Sequence, residues 1–431
     1  MYGAAVTESE LIRNAAWVAE HLKMYGWEYI VCDIQWFEPK ARGMAYRPCA
    51  PLVMDDFGRL MPAVNRFPSA AGEGTALDPD APKGMARGNR GFRPIADRIH
   101  AMGLKFGIHI LRGIPRQAVH THTPVMGTPY HAEDIARPDS YCTWNTDMYG
   151  VDPSKPGAQD YYDSIFKLYA SWGVDYVKVD DIASLRCTPD DPYSASGEVE
   201  MIHEAIRRCG RDMVLSLSPG PSVVEQHEHL RQHANMWRMT DDFWDDWELL
   251  KAMFMRCHLW EDYVGLENDT GRSWPDCDML PLGRISLRDE PRWTRLTADE
   301  QRTMMSLWCI FRSPLMIGSE LPSCDEATLR LLTNQDMLAL NQNGHGPRQL
   351  FRDERSAVWI TDDQEGRQTY GLFNLSDEPQ VMTLETTKGE VFKNLWEGNL
   401  ITADGEKLCL PVPLHGAVVL TRMSGFHEKT D

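Results

Sequence analysis

Up to about Gln342, short and nearly continuous apolar runs alternate with longer stretches of helical periodicity. That order leaves few architectures open. A strand apolar on both faces must be covered on both, and strand–helix repetition delivers a parallel sheet wrapped in helices. Leu11, Ala15, Val18 and Leu22 fall at helical spacing, and Gly26 ends that helix. Strands are predicted at Tyr29–Asp33, Lys105–His109, Tyr176–Asp180, Met213–Ser218, Met236–Met239, Asp276–Leu280 and Leu315–Ile317. Helices are predicted over 95–102, 159–172, 198–208, 223–233, 246–257 and 298–312. These are seven strand–helix units, one short of a closed (β/α)8 TIM barrel. The absent unit is the first, because the chain opens on a helix. A biological start upstream of residue 1 is the expectation; a helical N-terminus that leaves the barrel gapped is the alternative. The stretches 39–93 and 110–156 carry little periodicity and are expected to be long loops.

After the turn-rich segment Asn341–Pro347 the helical pattern stops. Short alternating runs at 356–361, 368–374, 380–386, 391–396 and 416–422 then read as a small antiparallel β-sandwich. The expected division is a catalytic barrel over 1–342 and a sandwich domain over 343–431.

Composition narrows the partners. The formal net charge of −19 repels phosphate backbones, so nucleic acid is not an expected partner. No window approaches 18 uninterrupted apolar residues and no signal peptide is visible, so neither a membrane span nor export is expected. The 10 cysteines include no C-x-x-C pair, which gives no sign of a zinc site and fits free thiols in a reducing, cytoplasmic setting. Homo-oligomerisation stays open, since no surface stripe singles it out.

Barrel chemistry gathers at the C-terminal ends of the strands. Asp33, His109, Lys178, Asp180, Asp181, Ser218, Arg238, Asp242, Asp276 and Asp278 all fall there. Strand alternation puts Lys178 and Asp180 on one side, where the ammonium favours an ionised carboxylate fit to act as a nucleophile. An ordinary Lys–Asp ion pair is the plainer reading. A second carboxylate lies in Trp237–Trp247, where Asp and Trp interleave. Indole faces suit the apolar face of a sugar ring, and a carboxyl desolvated beside them suits a general acid. An acidic helix N-terminus explains the same run more plainly, above all for Asp241, Asp245 and Asp246. Paired inward carboxylates among 14 tryptophans are what glycosidic bond cleavage asks for. A divalent metal held by the aspartates is the rival chemistry, though only His109 sits at a strand end to support it.

At these residues the chain resembles glycoside hydrolase family 27, the α-galactosidase and α-N-acetylgalactosaminidase family. Tyr176-Val177-Lys178-Val179-Asp180 is similar to the family's Lys-x-Asp strand, which implies Asp180 as nucleophile. Trp237, Arg238, Asp242, Asp245 and Trp247 match its Trp-Arg-x-x-x-Asp-x-x-Asp-x-Trp, which implies Asp242 as general acid/base and Arg238 as a sugar contact. Trp274–Leu280, Ser313–Gly318 and Leu338–Gln342 resemble its later motifs in order. Departures bear on the substrate. The family's paired aspartates after the second strand read Asp33-Ile34 here, and its third-strand Tyr is His109. Ser218 stands where α-galactosidases carry Glu, followed by Pro219-Gly220-Pro221. The family's first strand, with its pocket tryptophan, is absent, so Trp36 or Trp144 is the candidate stacking face.

The resemblance implies a retaining hydrolase of a terminal galacto-configured sugar, first an α-galactosidase. A β-L-arabinopyranosidase or an α-N-acetylgalactosaminidase is the alternative within the family, and a non-catalytic sugar-binding protein the alternative outside it. Asp180 and Asp242 would stand roughly 5–6 Å apart. Asp33, Trp36, His109, Lys178, Ser218 and Arg238 would hold the substrate, with no cofactor and no metal required.

Overall fold

The computed structural model describes residues 1–423. Helix α1 (Glu8–His21) opens on a capping box in which the Thr7 amide donates to Glu10 Oε2 at 3.0 Å. It buries Leu11, Ala15 and Val18 against the barrel, and Gly26 turns the chain with φ +93°. Strands β1 (Tyr29–Cys32), β2 (Lys105–Leu111), β3 (Tyr176–Asp180), β4 (Val214–Leu217), β5 (Met236–Arg238) and β6 (Gly271–Asp276) are parallel neighbours in that order. Helices α2 (Arg93–Ala101), α3 (Ala158–Trp172), α4 (Ser196–Arg208), α5 (His227–His233), α6 (Trp247–Trp260) and α7 (Ala298–Phe311) pack outside them. This is a TIM-barrel sheet with the sequence-predicted strands in the predicted order.

The later strands differ from expectation. Of the run 276–280 only Asp276 belongs to β6, which begins at Gly271 and pairs antiparallel with Leu266–Asn268 before joining β5. Leu315–Ile317 forms a single parallel bridge, Ile317 to Leu280. Pro314 and the left-handed Arg312 just before it leave little room for a longer ladder. Among the described residues no strand precedes β1. A cavity of ≈ 410 Å³ lies there, lined in part by Tyr29, Val31, Tyr176, Met236, Leu315 and Ile317.

The two expected long loops are more ordered than their composition suggests. Residues 33–70 fold over the barrel around Arg66, whose guanidinium donates to the carbonyls of Ala4, Val6, Gln35 and Glu38 at 2.6–2.9 Å. Residues 110–156 contain a small antiparallel sheet of Ile114–Pro115, Ala136–Tyr141 and Met148–Val151, with short helices at 116–120 and 132–135. Such pieces hold few residues each, so no periodicity announces them.

The barrel ends with α8 (Gln335–Asn343), and antiparallel structure starts at His345. One sheet runs in the order β7 (His345–Arg352), β8 (Ser356–Asp362), β9 (Gln368–Asn374), β14 (Ala417–Arg422), β11 (Val391–Asn394), β12 (Leu400–Thr402). The other pairs β10 (Gln380–Glu385) with β13 (Lys407–Val412). Strands β7, β12 and β13 were not foreseen, although Leu408, Leu410 and Val412 alternate inward as a half-buried strand should. Leu372, Met382, Phe392, Leu410 and Leu420 form the core between the sheets. The outer face of the larger sheet joins the barrel core: Phe373 meets Phe254 of α6 at 5.0 Å between ring centres, and Trp359 meets Phe311 of α7 at 6.1 Å. Among the described residues no helix is long and apolar enough to cross a membrane.

Candidate active site

The mouth of the barrel is assembled from strand ends. The β2–β3 ladder sets His109 beside Lys178 and Leu111 beside Asp180. His109, 1% exposed, brings Nε2 to 3.1 Å from Asp180 Oδ2 and donates when that nitrogen carries the proton. Asp180 Oδ1 accepts the amide of Asp181 at 2.9 Å. Both oxygens of the carboxylate are therefore anchored. Burial works to raise Asp180, yet the His109 hydrogen bond and the charges of Lys178 and Arg238 outweigh it and hold the group well below the ordinary aspartate range. Burial likewise pushes the Lys178 ammonium down, but Asp33 and then Asp180 hold it above its usual range. Asp33 is in turn kept ionised by Lys178 and His109 against the cost of burial. The charge of Lys178 thus links Asp33, just past β1, with Asp180 at the end of β3.

On the other side of the mouth, Arg238 at the end of β5 is 2% exposed. Its Nη2 donates to Asp242 Oδ1 at 2.8 Å and stands 3.5 Å from Asp278 Oδ2, and Nε donates to Thr240 O at 3.3 Å. Asp278 also accepts the Phe243 amide at 2.8 Å, which pins the loop carrying Asp242. The Asp242 carboxylate is 69% exposed. The desolvation expected of a general acid flanked by indoles is absent here: of the three tryptophans of this run, Trp237 is in the core, Trp247 stacks on His415 at 3.8 Å and Trp244 is half-buried. Arg238, expected as a sugar contact, spends its guanidinium on Asp242 and Asp278.

The remaining aspartates of the run separate by role. Asp245, 4% exposed, is gripped by Arg292 and accepts the Arg295 amide at 2.7 Å. Asp246 caps α6, accepting from the amides of Glu248 and Leu249. Asp241 pairs with Arg186 on the surface. The plain reading of a helix N-terminus holds for Asp246 and not for Asp242.

Two of the expected substrate contacts, Trp36 and Ser218, are fully buried. Trp36 does not face the mouth: its ring is 0% exposed among Phe37, Phe92 and Trp172, and its Nε1 donates to the His109 carbonyl at 2.6 Å. Large aromatic area is stabilised most by full burial, and here the core claims it. Ser218 is 0% exposed with its Oγ unpartnered, while its carbonyl accepts the Ile182 amide at 3.0 Å. The loop after it lies flat on β5: Gly220 donates to Thr240 O at 2.9 Å, and a Cβ there would stand 2.3 Å from that oxygen. Glycine is required by this approach.

Tyr46 was not found by sequence reading. It lies in the aperiodic 39–93 stretch, yet burial and the charges of Asp33, Asp180 and Asp242 push its phenol up, so it stands within electrostatic reach of all three carboxylates. Its ring centre is 5.4 Å from that of Trp144. Both pack on an apolar cluster of Ile34, Leu111, Cys142 and Met148. Trp144, half-buried, is the available indole at this rim. No group of three or more His, Cys, Asp or Glu among the described residues has metal-site geometry.

Comparison with known proteins extends this picture. A family model described as alpha galactosidase A matches residues 153–343. The crystal structure of a GH27 β-L-arabinopyranosidase from Geobacillus stearothermophilus superposes with a TM-score of 0.91 at 49% identity, covering 99% of this chain and 95% of that one. Alpha-galactosidase 3 of Arabidopsis thaliana is 25% identical over 81% of this chain, and human alpha-galactosidase A is 26% identical over 79%. The matches span 65% and 62% of those two proteins, under two thirds of either.

Proposed function

The chain belongs to glycoside hydrolase family 27, whose members hydrolyse O-glycosyl bonds, and on that premise we propose that it releases a terminal galacto-configured pyranose with retention of anomeric configuration. Asp180 attacks the anomeric carbon while Asp242 gives its proton to the departing glycosidic oxygen. The glycosyl ester on Asp180 is then displaced by water, whose proton returns to Asp242. The observation that carries this reading is the asymmetry of the two carboxylates. Asp180 is anchored on both oxygens and held ionised by His109 and Lys178, as a nucleophile must be. Asp242 is open to solvent on the arm of Arg238, where a leaving group and water both have access.

The sugar follows from Asp33-Ile34. The motifs alone favour an α-galactoside, but Ile34 is 6% exposed in an apolar cluster with Leu111 and Met148. An apolar wall beside Asp33 gives the hydroxyl of an exocyclic hydroxymethyl group no partner. Leaving a polar group unpaired costs about 1–3 kcal/mol. A pentopyranose lacks that group, so we read the preferred substrate as a β-L-arabinopyranoside. That the 49% identical Geobacillus stearothermophilus relative is a β-L-arabinopyranosidase supports this reading.

The test is release of p-nitrophenol from the β-L-arabinopyranoside, the α-D-galactoside and the α-N-acetylgalactosaminide. The arabinopyranoside should lead by about tenfold or more in kcat/KM, and Asp180→Asn should lower its turnover by about 10³-fold or more. A lead for the α-galactoside would reverse the sugar reading and keep the mechanism. Turnover that survives Asp180→Asn would remove the mechanism, and sugar binding without turnover would make this a binding protein.

A further inference from the structure

One residue past the nucleophile the chain accepts two costs at once. Asp181 has φ +55°, a left-handed conformation that costs a non-glycine residue about 1–2 kcal/mol. Its carboxyl is 2% exposed with Oδ1 unpartnered. The other oxygen, Oδ2, stands 3.2 Å from Nη2 of Arg112, itself 1% exposed. Arg112 ties the ends of β2 and β3 together: its amide donates to Asp180 O at 3.0 Å, and its Nε donates to Asp181 O. Its Nη1 donates to Glu198 Oε1 at 2.9 Å, and Glu198 Oε2 accepts the Tyr162 hydroxyl at 2.6 Å. The turn is therefore fixed from α3 and α4 as well as from the sheet. It aims the Asp181 amide back at Asp180 Oδ1, 2.9 Å away.

Resting on the glycosidase reading above, we propose that Asp181 is a positioning residue for the nucleophile: its Arg112-clamped, left-handed turn sets the carboxylate of Asp180 against the anomeric carbon. A second consequence follows from charge. Arg112, Glu198, Tyr162, Asp180 and Cys142 are the titratable and charged groups that face Asp181. Burial raises the Asp181 carboxyl to about 7, with Arg112 opposing and Asp180 and Glu198 assisting. The charge behind the nucleophile thus changes in the neutral range.

The experiment compares Asp181→Asn, Asp181→Gly and Asp181→Ala with wild type on the accepted p-nitrophenyl glycoside, as kcat, KM and the pH profile of kcat. Asparagine and glycine adopt the left-handed turn readily; alanine does so only at a cost of about 1–2 kcal/mol. Alanine should lower kcat by about 100-fold with KM within about twofold, the cost of a nucleophile displaced by about 1 Å. Asparagine and glycine should retain kcat within about tenfold and lose the wild-type inflection near neutral pH. Equal kcat in alanine and wild type overturns the proposal, and so does a neutral inflection that persists in asparagine. If alanine fails to fold, the asparagine and glycine pH profiles decide alone. If wild type turns over no glycoside, the function reading fails, and the proposal is judged from the ¹³C titration of the Asp180 carboxyl. It should move to higher pH in alanine, whose relaxed turn no longer aims the residue-181 amide at Oδ1; no movement overturns it.

Discussion

Lys178 shows how one side chain sets the state of its neighbours. Buried charge is tolerated only where opposite charge and hydrogen bonds return what desolvation takes. Here one ammonium serves Asp33 and Asp180: both hold it charged and it holds both ionised, although Asp180 works against the ionisation of Asp33. Replacing Lys178 with Met removes the cation and keeps the volume. The Asp180 carboxyl should then titrate higher, because its lowered value depends on that charge and on His109. The acid limb of kcat/KM in Lys178→Met should move up by about 1–2 pH units, measured on the accepted aryl glycoside. An acid limb that stays in place would assign the ionisation of Asp180 to His109 and Arg238.

Among the elements, α6 matters most because it follows directly on the loop of Asp242. Asp246 caps it through two amides, and Asp245 fastens the preceding turn to Arg292. Asp246→Ala should cost about 1 kcal/mol. That corresponds to a fall of about 2 °C or less in Tm, with KM unchanged, in a thermal melt followed by activity assay. A large loss of activity from this variant would mean that the cap also fixes the acid/base loop. On the far side of the same loop, Trp247 stacks on His415 of the sandwich, whose ring nitrogens lie 2.6 Å from Glu300 and 2.9 Å from Asp377. The second domain therefore bears on the element that follows Asp242.

At the scale of the molecule, carboxyls raised by burial govern pH dependence. Asp147 is raised to about 6, and Asp181 and Asp276 to about 7, burial being the first cause in each. Between an unfolded value near 4 and these folded values the native state binds more protons than the unfolded chain. Stability contributed by these groups is full below about pH 4 and declines as pH rises toward 7. Asp276→Asn preserves the acceptor for the Asp278 amide, 2.8 Å away, and removes the ionisation. It should flatten the fall of Tm between pH 5 and 8 and stabilise the protein at pH 8 by a few kcal/mol. A Tm–pH curve parallel to wild type would exclude Asp276 as a source of that slope.

The amino-acid order alone determined the architecture of alternating strands and helices, because burial on both faces of a parallel sheet writes itself as apolar runs at fixed intervals. It also singled out Asp180, since a charged residue closing a Val-rich strand needs a reason to be there, and Asp242, from the run past β5 in which Asp and Trp interleave. The tertiary structure decided what depends on long-range packing. Trp36 and Trp144 look alike in sequence, yet the core takes the first and leaves the second at the rim. Tyr46 comes within electrostatic reach of the carboxylates from a stretch without periodicity, carried by a loop folded around Arg66. Asp242 acquired an arginine and solvent where aromatic shelter was expected. Each outcome turns on partners far away in the chain: the Gln35 carbonyl on Arg66 comes 31 residues from it, and the β2 and β3 ends meet through Arg112 and Asp181, 69 apart. Local pattern encodes which face is buried; only closure of the fold decides which groups meet there.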